Sequence, residues 1–186
     1  DAKARAKFVA TLTRVAEASE ARVRGRVAVD VPISRDERTF YDPHVMLELS
    51  GLWLEIQQLT AADAKRALEL VFSTLLVKFS RQRADTSEEH TPKRIRKGLP
   101  TEFFARKGHE LALRWEALWD SVPKESFATK FEQGDARHLA ELLGARFRAD
   151  LILTSPPYGG TYNYADHHAR RTAWLNLDVR ALRAGE

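Results

Sequence analysis

The stretch Asp150-Leu-Ile-Leu-Thr-Ser-Pro-Pro-Tyr158, followed by Gly159 and Gly160, decides the predicted fold. Its apolar residues follow an acidic start, as they do in a buried parallel strand. They end in a rigid Ser-Pro-Pro-Tyr turn and a pair of glycines. A loop of this kind is typical of the carboxyl end of a strand in an open α/β sheet, where ligands bind. We therefore expect a catalytic loop directly after the strand.

The residues on either side of this stretch predict alternating strands and helices. A short strand starts at Phe127, and a helix covers residues 138–145 after Gly134-Asp-Ala-Arg137. Another helix is expected from about Ala165 to Leu175. The order strand, helix, strand, loop, helix is typical of a doubly wound sheet. The predicted fold class is therefore α/β, with a partial Rossmann-like core.

The first two thirds of the chain predict mainly helices. Expected segments are an amphipathic helix at 2–24, a short strand at 27–31, a helix from 43 to about 58, a helix from a capping box at 60–63 to about 79, and a helix from 100 to about 121. Asp42 and Pro43 are suited to the N-cap and the first turn of the helix that runs from 43 to about 58. Trp115 and Trp119, four residues apart, are expected to pack in the core rather than to stack on bases.

Basic residues are concentrated between Lys78 and Lys107, a stretch with nine lysines and arginines and four acidic residues. The net charge of the whole chain is only +4. The candidate nucleic-acid contacts in this segment are Arg81, Arg83, Lys93, Arg94, Arg96 and Lys97. Residues 80–98 show no periodicity and are expected to form a loop that is mobile in the free protein. A solvated surface and a phosphate-contacting patch both remain open.

The residues Thr154-Ser-Pro-Pro-Tyr158 are similar to the catalytic motif of the DNA amino-methyltransferases, which methylate N4 of cytosine or N6 of adenine. Gly134-Asp-Ala-Arg137 resembles the acidic motif of the same family. The resemblance implies a Rossmann-like methyltransferase core, S-adenosylmethionine as cofactor, DNA as partner, and a cytoplasmic protein of restriction-modification type. It implies no metal, and a chain without cysteine has neither disulfides nor thiolate metal sites. The adjacent His167 and His168 are not expected to bind a metal.

The resemblance also assigns roles to single residues. The implied catalytic residues are Ser155, Pro156, Pro157 and Tyr158, and the implied cofactor-binding residues are Gly134, Asp135, Ala136 and Thr154. The implied substrate-binding residues are Tyr158, Gly159, Gly160, Tyr162 and Tyr164. In that family the serine side chain and the carbonyl of the first proline accept the hydrogens of the target amine. The target base is flipped out of the duplex and stacks on the tyrosine. The acidic residue binds the adenine amino group of the donor, although Asp135 alone would also suit a helix N-cap.

The family's glycine-rich donor loop has no counterpart here, because no Gly-x-Gly occurs in the sequence. We therefore expect a fragment whose first two strands precede Asp1. The expected division is residues 1–39 as a helix and connection of the methyltransferase core, 40–122 as a helical insertion for target recognition or as a lid, and 123–186 as the catalytic part.

The serine before the prolines favours cytosine N4 over adenine N6 as the methylated position. Two other interpretations stay open. One is an RNA base amino-methyltransferase, and the other is a nucleic-acid-binding remnant without catalysis.

Overall fold

The computed structural model describes residues 2–87, 89–123, 125–126, 129–144, 146–155 and 164–180. Its helices are α1 (Ala2–Arg24), α2 (Arg35–Arg38), α3 (Pro43–Gln57), α4 (Ala62–Lys78), α5 (Leu99–Ser121), α6 (Leu139–Leu143), α7 (Tyr164–His167) and α8 (Ala169–Leu175), with a 3-10 turn at Ala136–His138. No helix of these ranges is long and apolar enough to cross a membrane.

The predicted α/β, Rossmann-like fold is wrong for the part of the chain that the structure describes. The only pairing between segments there is a single antiparallel bridge between Gln82 and His90. Residues 27–31, expected as a strand, form an irregular connection, and the side chain of Val31 is buried against the helices. The described part of the molecule is a helical body without a sheet.

The stretch that decided the fold prediction is not a buried strand. Leu151, Ile152 and Leu153 are 83%, 75% and 94% exposed. A strand needs a neighbour that satisfies its backbone N–H and C=O groups, and the described residues provide none for this stretch. None of the described residues between 129 and 155 is buried. In this region the predicted helix 138–145 is reduced to the 3-10 turn and the short α6.

The core lies between α1, α3, α4 and α5. α1 packs against both α3 and α5, and α4 packs against α3 and α5 as well. The spacing of the apolar residues explains this, because Val45, Leu49, Leu52 and Ile56 lie on one face of α3 and all are buried. α1 and α5 approach closely at Gly108, where a Cβ atom would lie 2.5 Å from a methyl group of Leu12. Residues 2–24 and 43–121 therefore share one core.

The sequence predicts three helix starts from a proline or a capping signal, and the structure confirms two of them. α3 begins at Pro43 with Asp42 as N-cap residue, although the Asp42 carboxylate pairs with Arg81 at 3.0 Å and makes no capping bond. α5 begins at Leu99, one residue before the predicted proline. The predicted capping box before α4 is wrong, because the N-cap residue is Ala61 and has no side chain that could accept a bond.

The start of α5 is capped by a residue from another helix. The buried carboxylate of Glu48, on α3, accepts hydrogen bonds from the backbone N–H groups of Gly98 at 2.7 Å and Thr101 at 3.2 Å. It also accepts a bond from the Thr101 hydroxyl at 3.1 Å. A carboxylate is favourable there because the first N–H groups of a helix lack partners within the helix and carry partial positive charge. Glu48 thereby fixes the end of the basic segment relative to α3.

The helix predicted at 165–175 forms as α7 and α8, and α8 is docked on the helical body. Trp174 is fully buried, and its indole N–H donates to the hydroxyl of Tyr41 at 3.1 Å. Its ring contacts those of Phe72 and Tyr41 edge to face, with centroids 5.5 and 5.9 Å apart. The Trp174 carbonyl accepts a bond from the indole of Trp53 at 3.1 Å. α8 therefore belongs to the same core as α3 and α4.

Two tryptophans expected in the core lie at its edge. Trp115 is 42% exposed and Trp119 is 66% exposed, so the packing prediction is wrong for Trp119 and only partly fulfilled for Trp115. One face of the Trp115 ring contacts Phe8 of α1, with centroids 5.0 Å apart. The two indoles share a face of α5, as their spacing predicts, but the described residues do not cover that face.

Candidate functional site

Two described residues, Ser155 and Tyr164, lie at the two ends of the undescribed stretch that contains most of the Ser-Pro-Pro-Tyr motif, and they differ in secondary structure. Ser155 ends an exposed segment without regular structure. Tyr164 is the first residue of α7 and is 37% exposed. The other motif residues, Pro156, Pro157, Tyr158, Gly159, Gly160 and Tyr162, lie outside the described residues.

The C-terminal side of the motif is anchored by a buried ion pair. Arg170 of α8 donates to the carboxylate of Glu37 in α2, and the two side chains are only 11% and 10% exposed. The guanidinium also lies over the ring of Phe40, 3.2 Å from its centroid. Burial raises the pKa of the Glu37 carboxyl, and the Arg170 charge opposes this rise. The pair fixes α8, which follows the motif in the sequence, on the helical body.

A second ion pair joins α8 to the basic segment. Arg171 pairs with both carboxylate oxygens of Asp85, and the second bond measures 3.1 Å. The same guanidinium donates to Nδ1 of His168 at 3.1 Å, so the imidazole proton is on Nε2 in the neutral form. Burial, followed by the Arg171 charge, lowers the pKa of His168. The rings of His168 and Tyr164 are 6.3 Å apart, so the cluster extends to the first described residue after the motif.

The basic segment, residues 80–98, is fastened to the body along its length. The Arg81 N–H donates to the Phe40 carbonyl at 2.8 Å, and the Arg81 carbonyl accepts from Thr91 N–H at 2.7 Å. His44 of α3 hydrogen-bonds the Ile95 carbonyl at 2.8 Å. The loop that the sequence predicts to be mobile is thus held by backbone hydrogen bonds at Arg81 and by the His44 side chain at Ile95.

The six cations predicted to contact nucleic acid have three different environments. Three are paired with carboxylates: Arg81 with Asp42, Arg83 with Glu89, and Arg96 with Glu102. Lys93 is bonded to backbone carbonyls. Arg94 and Lys97 are exposed and, among the residues described, form no ion pair. Their charges are the ones in this set that are free to meet a phosphate.

Lys93 has a structural role that its place in a basic segment conceals. Its ammonium group donates to the carbonyls of Val77 at 3.2 Å, Lys78 at 3.1 Å and Gln82 at 2.6 Å. Two of these carbonyls are at the end of α4, where the last carbonyls have no partner within the helix. Burial, followed by the Lys78 charge, lowers the pKa of Lys93. All three N–H bonds are engaged, so Lys93 closes the turn after α4.

Replacing Lys93 by methionine is expected to lower the free energy of unfolding by about 1–3 kcal/mol, because three carbonyls lose a charged donor. Urea denaturation of the full chain measures this. Lys97→Met is the matched control, because Lys97 is exposed and its change should stay within about 0.5 kcal/mol. Equal effects of the two substitutions would contradict the structural role of Lys93.

The residues predicted to bind the methyl donor are all exposed: Gly134, Asp135, Ala136 and Thr154. Asp135 is the N-cap of the 3-10 turn and accepts the backbone N–H of Arg137 at 2.9 Å. The Arg137 guanidinium binds both carboxylate oxygens, at 3.0 and 2.6 Å. These bonds lower the pKa of Asp135 to about 2. The four residues are thus exposed, and the Asp135 carboxylate is engaged by Arg137.

Several residues of the site were not found by sequence reasoning. Glu37, Tyr41 and Trp174 build the anchor of α8, and Glu48 positions the end of the basic segment. One local signal existed: Ser34 and Glu37 have the spacing of a capping box, and the Ser34 hydroxyl does accept the Glu37 N–H at 3.1 Å. That pattern indicates a helix start but not the buried pair with Arg170.

Among the described residues, no group of three or more histidine, cysteine, aspartate or glutamate side chains could hold a metal ion.

Comparison of the chain with protein-family models, with curated proteins and with solved structures gave no match.

Proposed function

We propose that this chain serves the methylation of an exocyclic amino group of a DNA base with S-adenosylmethionine as donor, and that cytosine N4 is favoured over adenine N6. The observation that carries the proposal is the sequence motif Ser155-Pro-Pro-Tyr158 itself, which precedes α7 and the docked α8 along the chain. Its serine is exposed, so the hydroxyl is accessible to a ligand.

The chemistry explains why a hydroxyl next to two prolines is useful. The lone pair of an amino group on an aromatic ring is delocalised into the ring, so the amine is a poor nucleophile. An oxygen that accepts one of its hydrogens draws the nitrogen toward a tetrahedral geometry and frees the lone pair for attack. In the proposal Ser155 Oγ is this acceptor. The prolines supply no N–H donors that could compete for the hydroxyl, and they restrict the backbone around it.

The contacts of α8, the helix that follows the motif in the sequence, support the proposal because they join α8 to the cationic surface. Arg170 holds α8 on the body, and Arg171 connects α8 to Asp85 in the basic segment. A strand of nucleic acid bound to Arg94 and Lys97 would therefore meet a surface with a fixed position relative to Tyr164. Positioning on a rigid element is what a site needs when its main task is to align two reactants.

Methyl transfer by the full-length protein tests the proposal. Labelled S-adenosylmethionine is offered with duplex DNA and with bulk tRNA in separate reactions, and the labelled nucleosides are identified. Label in DNA as methylcytosine or methyladenine supports the proposal and identifies the base. Label in tRNA alone moves the substrate to RNA, and label in neither contradicts methyl transfer.

A second candidate is nucleic-acid binding without methyl transfer. It is favoured by one observation: Asp135 is engaged by Arg137, and the other predicted donor-binding residues are exposed. The same assay separates the two candidates when DNA binding is measured beside it. Binding of DNA without label supports the second candidate.

A further inference from the structure

Three cationic side chains surround the ring of Phe103 where α4 ends beside the first turns of α5. The Lys78 ammonium and the Arg106 guanidinium carbon each lie 4.8 Å from the ring centroid. The Lys107 ammonium lies 5.8 Å from it. The ring attracts cations through its face, and it is itself buried, so it holds the three groups in place. Cations that are already ordered lose less side-chain entropy when they bind a ligand.

The positive charge of this cluster is not balanced. Within the part of the chain that the structure describes, Lys78 and Arg106 form no ion pair with a carboxylate. Lys107 pairs with Glu110 at 2.7 Å, but Glu110 also pairs with Arg114. The Glu110 carboxylate therefore neutralises only part of the positive charge of this surface, and the remaining positive charge is available to an anion.

A fourth cation, Lys93, lies at the end of α4 next to the cluster and adds to its positive electrostatic potential. Its ammonium is bonded to the carbonyls of Val77 and Lys78, directly at the end of α4. Burial and then the Lys78 charge lower the pKa of Lys93, as expected for two like charges near each other. A bound phosphate would relieve this repulsion.

The end of α4 does not itself require Lys78 and Arg106. Cations often accompany a helix C-terminus because they compensate its last carbonyls. Here Lys93 bonds two of those carbonyls, and the backbone N–H groups of Phe79 and Ser80 bond Leu75 and Val77 at 2.8 and 3.2 Å. The cluster therefore exceeds what the helix end needs.

A groove leads away from the cluster between α4 and α5. It is lined by Leu70, Val71, Thr74, Phe103, Lys107, Glu110, Leu111 and Arg114. The groove is open and mainly apolar, and its one carboxylate, that of Glu110, is paired with Lys107 and Arg114.

We propose that Lys78, Arg106 and Lys107, gathered around Phe103, form a binding site for the phosphodiester backbone of DNA. These three cations belong to the basic stretch between Lys78 and Lys107 that the sequence indicated, but none of them is among the six candidate contacts named within residues 80–98. The site deepens the proposed function and rests on it only in taking nucleic acid as the ligand. It does not depend on methyl transfer.

The salt dependence of DNA binding tests the site. The full chain binds a fluorescently labelled duplex, anisotropy is recorded over a range of salt concentrations, and Lys78→Ala/Arg106→Ala is compared with the parent. Each lost phosphate contact reduces the slope of log affinity against log salt by about 0.9, so a reduction of about 1.8 and a loss of affinity of at least about tenfold at low salt are expected.

The matched control is Lys3→Ala/Arg66→Ala. It removes one lysine and one arginine from exposed positions in the first turns of α1 and α4, and so changes the net charge equally. Its slope should equal that of the parent. A third variant, Lys78→Arg/Arg106→Lys, preserves both charges and should retain the parent slope. Unfolding temperatures of all variants establish that each is folded.

The outcomes separate this site from the proposed function. A parent-like slope for the folded Lys78→Ala/Arg106→Ala variant, or an equal loss in the Lys3→Ala/Arg66→Ala control, overturns the site even if methyl transfer is found. A reduced slope in the first variant alone supports the site even if no methyl label appears in any nucleic acid. Failure of the parent to bind DNA at all overturns the site.

Discussion

Arg170→Met is expected to lower the free energy of unfolding by about 3–5 kcal/mol, measured by urea denaturation at neutral pH. The substitution leaves the Glu37 carboxylate buried without its guanidinium partner. It also removes the cation that lies 3.2 Å from the centroid of the Phe40 ring. Methionine fills a similar volume, so the loss comes mainly from the unpaired charge and not from a cavity. No other single change on α8 isolates this electrostatic contribution so directly.

The loss should depend on pH, and the sign follows from the pKa of Glu37. Burial raises that pKa above its usual value of 4.5, and Arg170 opposes the rise. Without Arg170 the pKa of the folded state is higher still. A raised carboxyl pKa stabilises the folded state below the unfolded pKa, and this contribution is lost as the pH rises toward the folded value. The deficit of Arg170→Met should therefore be smaller at about pH 4 than at about pH 7.

The control for this prediction replaces both partners. Glu37→Leu/Arg170→Met removes the buried charge together with its counter-ion, and buried pairs replaced by apolar residues are often as stable as the original. We expect the double variant to recover at least half of the loss. A double variant as unstable as Arg170→Met, or a deficit independent of pH, would contradict the assignment of the loss to the unpaired carboxylate.

The long helices could be predicted because their signals are local. The 3.6-residue spacing of Val45, Leu49, Leu52 and Ile56 determines one face of α3, and Asp42-Pro43 marks its start. The same kind of signal is insufficient for a strand. The apolar run after Asp150 has the composition of a buried strand, but burial requires a neighbouring strand and a cover. Neither is a property of the run itself, and the described residues supply neither.

The site was harder to predict than the helices because its contacts are distant in sequence. Glu37 and Arg170 are separated by 133 positions, and a sequence shows only that each is charged. In the sequence Lys93 resembles its basic neighbours, but in the structure its ammonium group donates to three backbone carbonyls and so closes the turn after α4. The burial of the two tryptophans of α5 could not be predicted either. Their spacing indicates that they share a face of the helix, but not whether other residues cover that face.

Ser155→Ala is expected to lower methyl transfer by the full-length protein at least about 100-fold, the usual cost of losing one preorganised hydrogen-bonding group at the reacting centre. In the proposed mechanism the hydroxyl accepts a hydrogen of the amine while the nitrogen becomes tetrahedral, and alanine provides no acceptor. Initial rates with labelled donor and saturating DNA measure the effect. The loss should appear in kcat, because the bond strengthens as the amine reacts.

Two comparisons separate this role from a structural one. Ser155 is exposed, so alanine should change the free energy of unfolding by no more than about 0.5 kcal/mol. DNA affinity should stay unchanged, because the proposed phosphate contacts lie elsewhere. Ser121→Ala, an equal change at the exposed end of α5, should retain the full rate. If Ser155→Ala methylates DNA at a rate close to that of the parent, Ser155 Oγ is not the acceptor. The activation of the amine would then have to come from a group other than this hydroxyl.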